Sequence, residues 1–185
     1  MREIIIIGKG ESRVECPKDT TIEKWGVNDL FKEVDYKVDK TFFFDDEAIP
    51  ECFTKEELKN QKIVTKNEIN GLDVTVFPLK EICERFKTKY FSNTICYMIA
   101  YALYLGYERI YFYGVDMKWD IIGDWEKEHG TVDGIFIYKD VLNEWRKEEK
   151  SGVSFWFGIA TGMGVEIINT EYSTIAKEFL YAYKP

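Results

Sequence analysis

Residues 90–117, YFSNTICYMIAYALYLGYERIYFYGVDM, decide the fold. Over residues 95–105 nearly every side chain is apolar or aromatic. That run is too long for an ordinary strand and too short for a membrane span, so it predicts a buried core helix. Ser92, Asn93 and Thr94 supply cap candidates at its start, and Gly106 supplies a stop. Residues 109–113 then read as a short β-branched and aromatic strand ending at Gly114, Val115 and Asp116. A carboxylate at the carboxyl end of a central strand faces the crevice in which open α/β sheets bind ligands. The helix start and Asp116 therefore bracket a candidate site.

Working outward, residues 3–7 carry four consecutive isoleucines, the pattern of a parallel strand buried on both faces. The chain then turns through Gly8, Lys9, Gly10, Glu11 and Ser12. Glycines directly after a first strand let backbone amides approach an anionic group, and a plain tight turn explains them equally well. The loop is not a Walker loop. It also misses the dinucleotide fingerprint, because Arg13 stands where the third glycine belongs. A second strand around residues 25–27 runs into Asn28 and Asp29. Asn28 can donate and accept, which suits reading a base or ribose, while helix capping is the plainer use of either residue.

Residues 39–44 read as a third strand ending in Asp45, Asp46 and Glu47. Adjacent carboxylates there could hold a magnesium ion or accept sugar hydroxyls, or simply begin a solvated loop. Residues 50–71 look peripheral, with a short helix at 55–59 and a strand at 62–65. Residues 72–77 predict a strand and 79–86 a helix. Residues 118–150 hold Trp119, Trp125 and Trp145 among many charges, a composition that fits a lid or insertion over the site, a partner surface or an oligomer contact. Beyond them, 153–163 predict a second buried helix, 165–168 a strand and 173–183 a terminal amphipathic helix. Strands alternating with helices give an α/β, Rossmann-like, mostly parallel sheet with helices on both faces, in one domain spanning 1–185.

Composition narrows the function. A chain of 185 residues with 45% hydrophobic residues supports one sizeable core. The net charge of -8 argues against blanket neutralisation of duplex nucleic acid, though a local basic pocket remains compatible with it. With no apolar leader and no run of 18 apolar residues, the expectation is a protein off the membrane and in the cytoplasm. Cys16, Cys52, Cys83 and Cys96 show no CxxC spacing and read as reduced packing thiols. The lone histidine, His129, lies in an acidic segment and is a catalytic candidate that could also be a surface residue.

Taken together, IIGKGES, WGVND, the 90–117 stretch and FGIATGMGVEI resemble a group of small phage and prophage proteins, which would put this chain in a host cytoplasm. More distantly the order of features is similar to bacterial sialyltransferases that use CMP-sialic acid, and to archaeal hydroxymethylpterin diphosphokinase-like proteins. The sialyltransferase resemblance implies a nucleotide surrounded by Gly8, Gly10 and Ser12, by Asn28, and by Ser92 with Thr94. It departs from that pattern at Lys9, where the family has asparagine, and offers no match for the family's catalytic histidine or tyrosine pair.

Two functional readings follow. The first is a nucleotide-binding transferase, most simply glycosyltransferase-like, acting on a nucleotide-activated donor. Gly8, Lys9, Gly10, Ser12, Asn28, Ser92, Asn93, Thr94 and Gly114 would bind the nucleotide or nucleotide-sugar. Asp116, Asp46 or His129 would serve as base, and Asp45 with Asp46 would hold magnesium if one is used. Diphosphate transfer is a variant of it. The second is a phage nucleotide-sequestering module without chemistry. A small-molecule nucleotide partner is common to both, and a homo-oligomer is compatible with either.

Overall fold

The computed structural model describes residues 1–44, 53–58, 61–117 and 139–175. Seven parallel strands form one sheet: β1 (Glu3–Ile7), β2 (Glu23–Val27), β3 (Lys40–Phe42), β4 (Ile63–Thr65), β5 (Val74–Val76), β6 (Arg109–Tyr113) and β7 (Glu166–Asn169). Their order across the sheet is β5-β4-β3-β2-β1-β6-β7. The chain thus builds outward from β1 to one edge and then returns to the other side of β1. That reversal puts the topological switch point between β1 and β6, where carboxyl ends of neighbouring strands diverge and leave a crevice. Register across the switch pairs Ile7 with Tyr113, so Gly8 and Gly114 leave the sheet side by side.

The isoleucine run sorts by the two-residue period of a strand. Ile4 and Ile6 point into the main core with Trp25, Val27, Phe42 and Phe112. Ile5 and Ile7 point to the opposite face, against Cys16 and Leu30. All four are at most 2% exposed. At about 1.5–3 kcal/mol per fully buried isoleucine, this strand alone is a major share of the hydrophobic driving force.

Among the described residues four α-helices accompany the sheet: α1 (Lys55–Leu58), α2 (Leu79–Phe86), α3 (Thr94–Tyr104) and α4 (Lys139–Gly162). The core face of the sheet carries residues of α2, α3 and α4. The other face is covered by a 3-10 turn at Glu11–Glu15 and another at Leu30–Lys32, with the short α1 lying over β3 and β4. The domain is α/β as expected, with all six strand pairings parallel and with the long helices gathered on one side.

Several boundaries differ from the sequence reading. Residues 139–150, expected within an insertion, form the first half of α4, which runs unbroken into the apolar segment after them. The rest of that insertion, residues 118–138, lies outside the described residues, as do Asp45, Asp46, Cys52 and His129. Ser173 and Thr174, expected in a terminal helix, instead spend their hydroxyls on the carbonyls of Val115, Asp116 and Met117. Side chain to backbone bonding of this kind offers Ser and Thr an alternative to helix. Most of the remaining span, 176–183, lies outside the described residues. The strand at 63–65, in a region that looked peripheral, pairs with the expected strand at 74–76, and the two form one edge of the sheet. Cys16, Cys83 and Cys96 are free thiols. Among the described residues no helix is long and apolar enough to cross a membrane.

Candidate ligand cleft at the switch point

The two loops that leave β1 and β6 are pressed together. The Gly8 amide donates to the Tyr113 carbonyl at 2.9 Å and the Gly10 amide to the Gly114 carbonyl at 2.8 Å. A methyl group on Gly8 would strike the Gly114 carbonyl, and one on Gly114, whose φ is +65°, would strike that of Gly8. A methyl on Gly10 would meet the Asp116 carboxylate at 2.5 Å. The first requirement for glycine at these positions is therefore the approach of two backbones, a need that exists without any ligand.

Ser12 and Asp116 lock this contact. The Ser12 amide donates to Asp116 Oδ2 at 2.9 Å, and its hydroxyl donates to Oδ1. The same hydroxyl accepts from the Gly114 amide at 2.8 Å. Ser12 is 2% exposed and Asp116 is 5% exposed. Arg13 adds a second clamp by donating to the carbonyls of Lys9 at 2.8 Å and Gly10 at 3.1 Å. The expected phosphate cradle of loop amides is thus largely spent: those of Gly8, Gly10, Ser12 and Arg13 all donate within the protein.

Lys9 is likewise engaged. Its ammonium pairs with the carboxylates of Asp29 and Glu33, the latter at 2.6 Å. Burial works against the charge, but these two partners more than offset it and hold the amine above its usual range. Asp29 forms no side-chain cap on the turn that follows it.

Opposite these loops lies the start of α3. Of the three cap candidates, Asn93 takes the position: its backbone is extended and its Oδ1 accepts from the Cys96 amide at 3.1 Å. Helix geometry then leaves the amides of Thr94 and Ile95 without an intrahelical acceptor, at the positive end of an 11-residue helix. The hydroxyl of Ser92 turns instead toward Cys96 Sγ and the Glu149 carbonyl, at 3.5 and 3.4 Å. At the end of β2, Asn28 sits in the left-handed region with φ +48°, a conformation that asparagine tolerates better than most residues. Its Oδ1 is buried and has no hydrogen-bond partner among the described residues.

These pieces enclose a cleft of about 530 Å³, within the usual range for small-molecule sites. Gly8, Lys9, Gly10, Asn28, Asn93, Thr94, Gly114 and Asp116 all line it. Ser12 and Ser92 support its walls from behind. Sequence reasoning missed Glu11, Glu149 and Tyr172, which also line the cleft. Glu149 comes from α4, and burial raises its carboxyl above the ordinary range against the opposing pull of Arg146. No motif spacing links it to the other lining residues. A cavity of similar volume, about 550 Å³ and lined by Lys40, Gln61 and Asp73, opens at the amino ends of β3 to β5, the wrong end of the sheet for a ligand site of this fold class. Among the described residues no group of three or more His, Cys, Asp or Glu side chains is gathered to hold a metal ion.

The chain is similar in fold to bacterial sialyltransferases. Campylobacter jejuni CstII, solved with the substrate analogue CMP-3FNeuAc, superposes with a TM-score of 0.55 at 17% identity, covering 97% of this chain and 89% of that one. CST-II solved with a trisaccharide acceptor and CMP gives 0.56 at 17% identity over 96% of this chain and 89% of that one. The monofunctional α-2,3-sialyltransferase Cst-I of Campylobacter jejuni gives 0.56 at 16% identity, covering 97% and 83%. No protein-family model matches the chain, and no curated protein matches it.

Proposed function

We propose that this protein is a nucleotide-binding transferase of the glycosyltransferase kind, taking a nucleotide-activated sugar donor in the switch-point cleft. One observation carries the reading: the open amides of Thr94 and Ile95 and the unpartnered Asn28 Oδ1 belong to the same cleft. A helix start accepts a phosphate oxygen, and a buried carbonyl oxygen without a donor costs about 1–3 kcal/mol unless a ligand N–H or O–H reaches it. A base amino group or a ribose hydroxyl is such a donor, so one nucleotide would answer both needs. The fold neighbours add support, since two of them hold CMP or a CMP-sugar analogue.

A second reading, binding without chemistry, draws on the state of Asp116. Both of its carboxylate oxygens accept hydrogen bonds from Ser12, so the strand-end acid is already employed in fastening the loops.

The test is isothermal titration with CMP, UDP, GDP and ADP, followed by incubation with the corresponding nucleotide sugars and assay of nucleotide release. Binding of one nucleotide with release from its sugar supports the transferase. Binding with the donor left intact supports the sequestering module. No heat with any nucleotide sinks both.

A further inference from the structure

Resting on the transferase reading, we infer that Glu149 is the proton acceptor for the attacking hydroxyl. Of the three carboxylates that line the cleft among the described residues, Asp116 accepts from Ser12 at both oxygens, and Glu11 is exposed on the first 3-10 turn. Glu149 remains, half-buried and lining the cleft from α4. Its neighbour Glu148 is occupied elsewhere, with the Tyr90 hydroxyl.

Packing fixes where Glu149 stands. One turn further along α4, a methyl on Gly152 would strike the Ser92 hydroxyl, so glycine lets α4 close directly on the residues that start α3. The Ser92 hydroxyl donates to the Glu149 carbonyl at 3.4 Å across that contact. Glu149 is thereby held beside the start of α3, in the cleft that Thr94 and Ile95 also line. Charged or titratable groups around it are Arg146 on its own helix, Cys96 on α3, and Lys9, Glu11 and Asp116 from the facing loops. Burial raises its proton affinity, which suits a base that must take a proton and keep it through the step.

The step balances. The acceptor hydroxyl gives its proton to Glu149 while its oxygen bonds to the anomeric carbon. The bond from that carbon to the phosphate oxygen breaks, and its electron pair leaves on the nucleotide as an additional phosphate charge. The helix-start amides stabilise that growing charge.

The experiment compares wild type, E149Q, E149D and G152A in release of nucleotide from CMP-, UDP- and GDP-linked sugars, with water as the acceptor, alongside nucleotide titration. E149Q is expected to keep nucleotide affinity within about threefold and lose about 10²–10⁴ in kcat. The wild-type rate should rise with pH through the Glu149 titration, a limb that vanishes in E149Q, while E149D retains intermediate activity. G152A should lower kcat more than affinity. An E149Q rate within about threefold of wild type, or an unchanged pH profile, overturns the role of Glu149 and leaves the transferase reading intact. Nucleotide binding with no donor consumed by wild type overturns both the base role and the transferase. Absence of nucleotide binding by wild type overturns the cleft assignment itself.

Discussion

Ser12 and Asp116, 104 residues apart in sequence, make two hydrogen bonds to each other inside the protein, and Ser12 passes the contact on to the Gly114 amide. The pair fastens the loop after β1 to the loop after β6, and these loops are one wall of the cleft. An acid at a strand end can thus serve geometry first.

Replacing Ser12 with alanine removes one of Asp116's two donors and the acceptor of the Gly114 amide, all in a buried setting. The expected loss is about 2–3 kcal/mol, read from urea unfolding. A loss under about 0.5 kcal/mol contradicts the fastening role.

Asn28 combines a strained backbone with an unpartnered oxygen, and two substitutions separate these properties. Asn28→Gly keeps the left-handed backbone and is expected to match wild-type stability within about 1 kcal/mol while losing nucleotide affinity. Asn28→Ala loses the affinity too and adds about 1 kcal/mol of strain. Retention of affinity by the glycine variant removes Asn28 from the site.

Glycines in this chain divide by what a methyl would meet. Gly114→Ala combines a φ of +65° with collision against the Gly8 carbonyl and should cost about 3 kcal/mol or more. Gly158, inside α4, has open space where its methyl would go, so Gly158→Ala should gain about 0.5–1 kcal/mol. For a chain of this length each kcal/mol moves the melting temperature by about 2–4 °C, so calorimetry distinguishes the two in sign.

Glu149 makes stability depend on pH in a defined direction. Its folded pKa is raised by burial, so its favourable contribution is complete below the unfolded carboxyl value and is lost as pH rises through the higher folded value. Glu149→Gln is therefore expected to melt higher than wild type at pH 7, with the difference shrinking toward pH 4. A variant that melts lower than wild type at pH 7 refutes a buried, unfavourably charged carboxyl.

The opposite case is Glu23. Burial raises its pKa, but hydrogen bonds from Trp25 Nε1 at 2.8 Å and the Tyr107 hydroxyl at 2.7 Å, with help from Lys40, bring it below the ordinary value. Its stabilisation is present above that ordinary value and disappears as pH falls through the lower folded one. Acid titration of Glu23→Gln should show a shallower loss of stability below about pH 4 than wild type.

What the sequence determined by itself is local and periodic. Four isoleucines followed by glycine could only be a buried strand and its exit, and an 11-residue apolar run bounded by Asn93 and Gly106 could only be a core helix. The alternation of such segments fixed a parallel α/β sheet, because hydrophobic period and turn chemistry act within a few residues. Tertiary structure alone decided the use of each polar group. Lys9 faces Asp29 and Glu33, the loop amides pair with backbone and Asp116, and Ser92 braces α4. Glu149 reaches the cleft through the closeness of two helices at Gly152. Those outcomes depend on which atoms from distant segments come within hydrogen-bonding range, and no sequence interval encodes that distance.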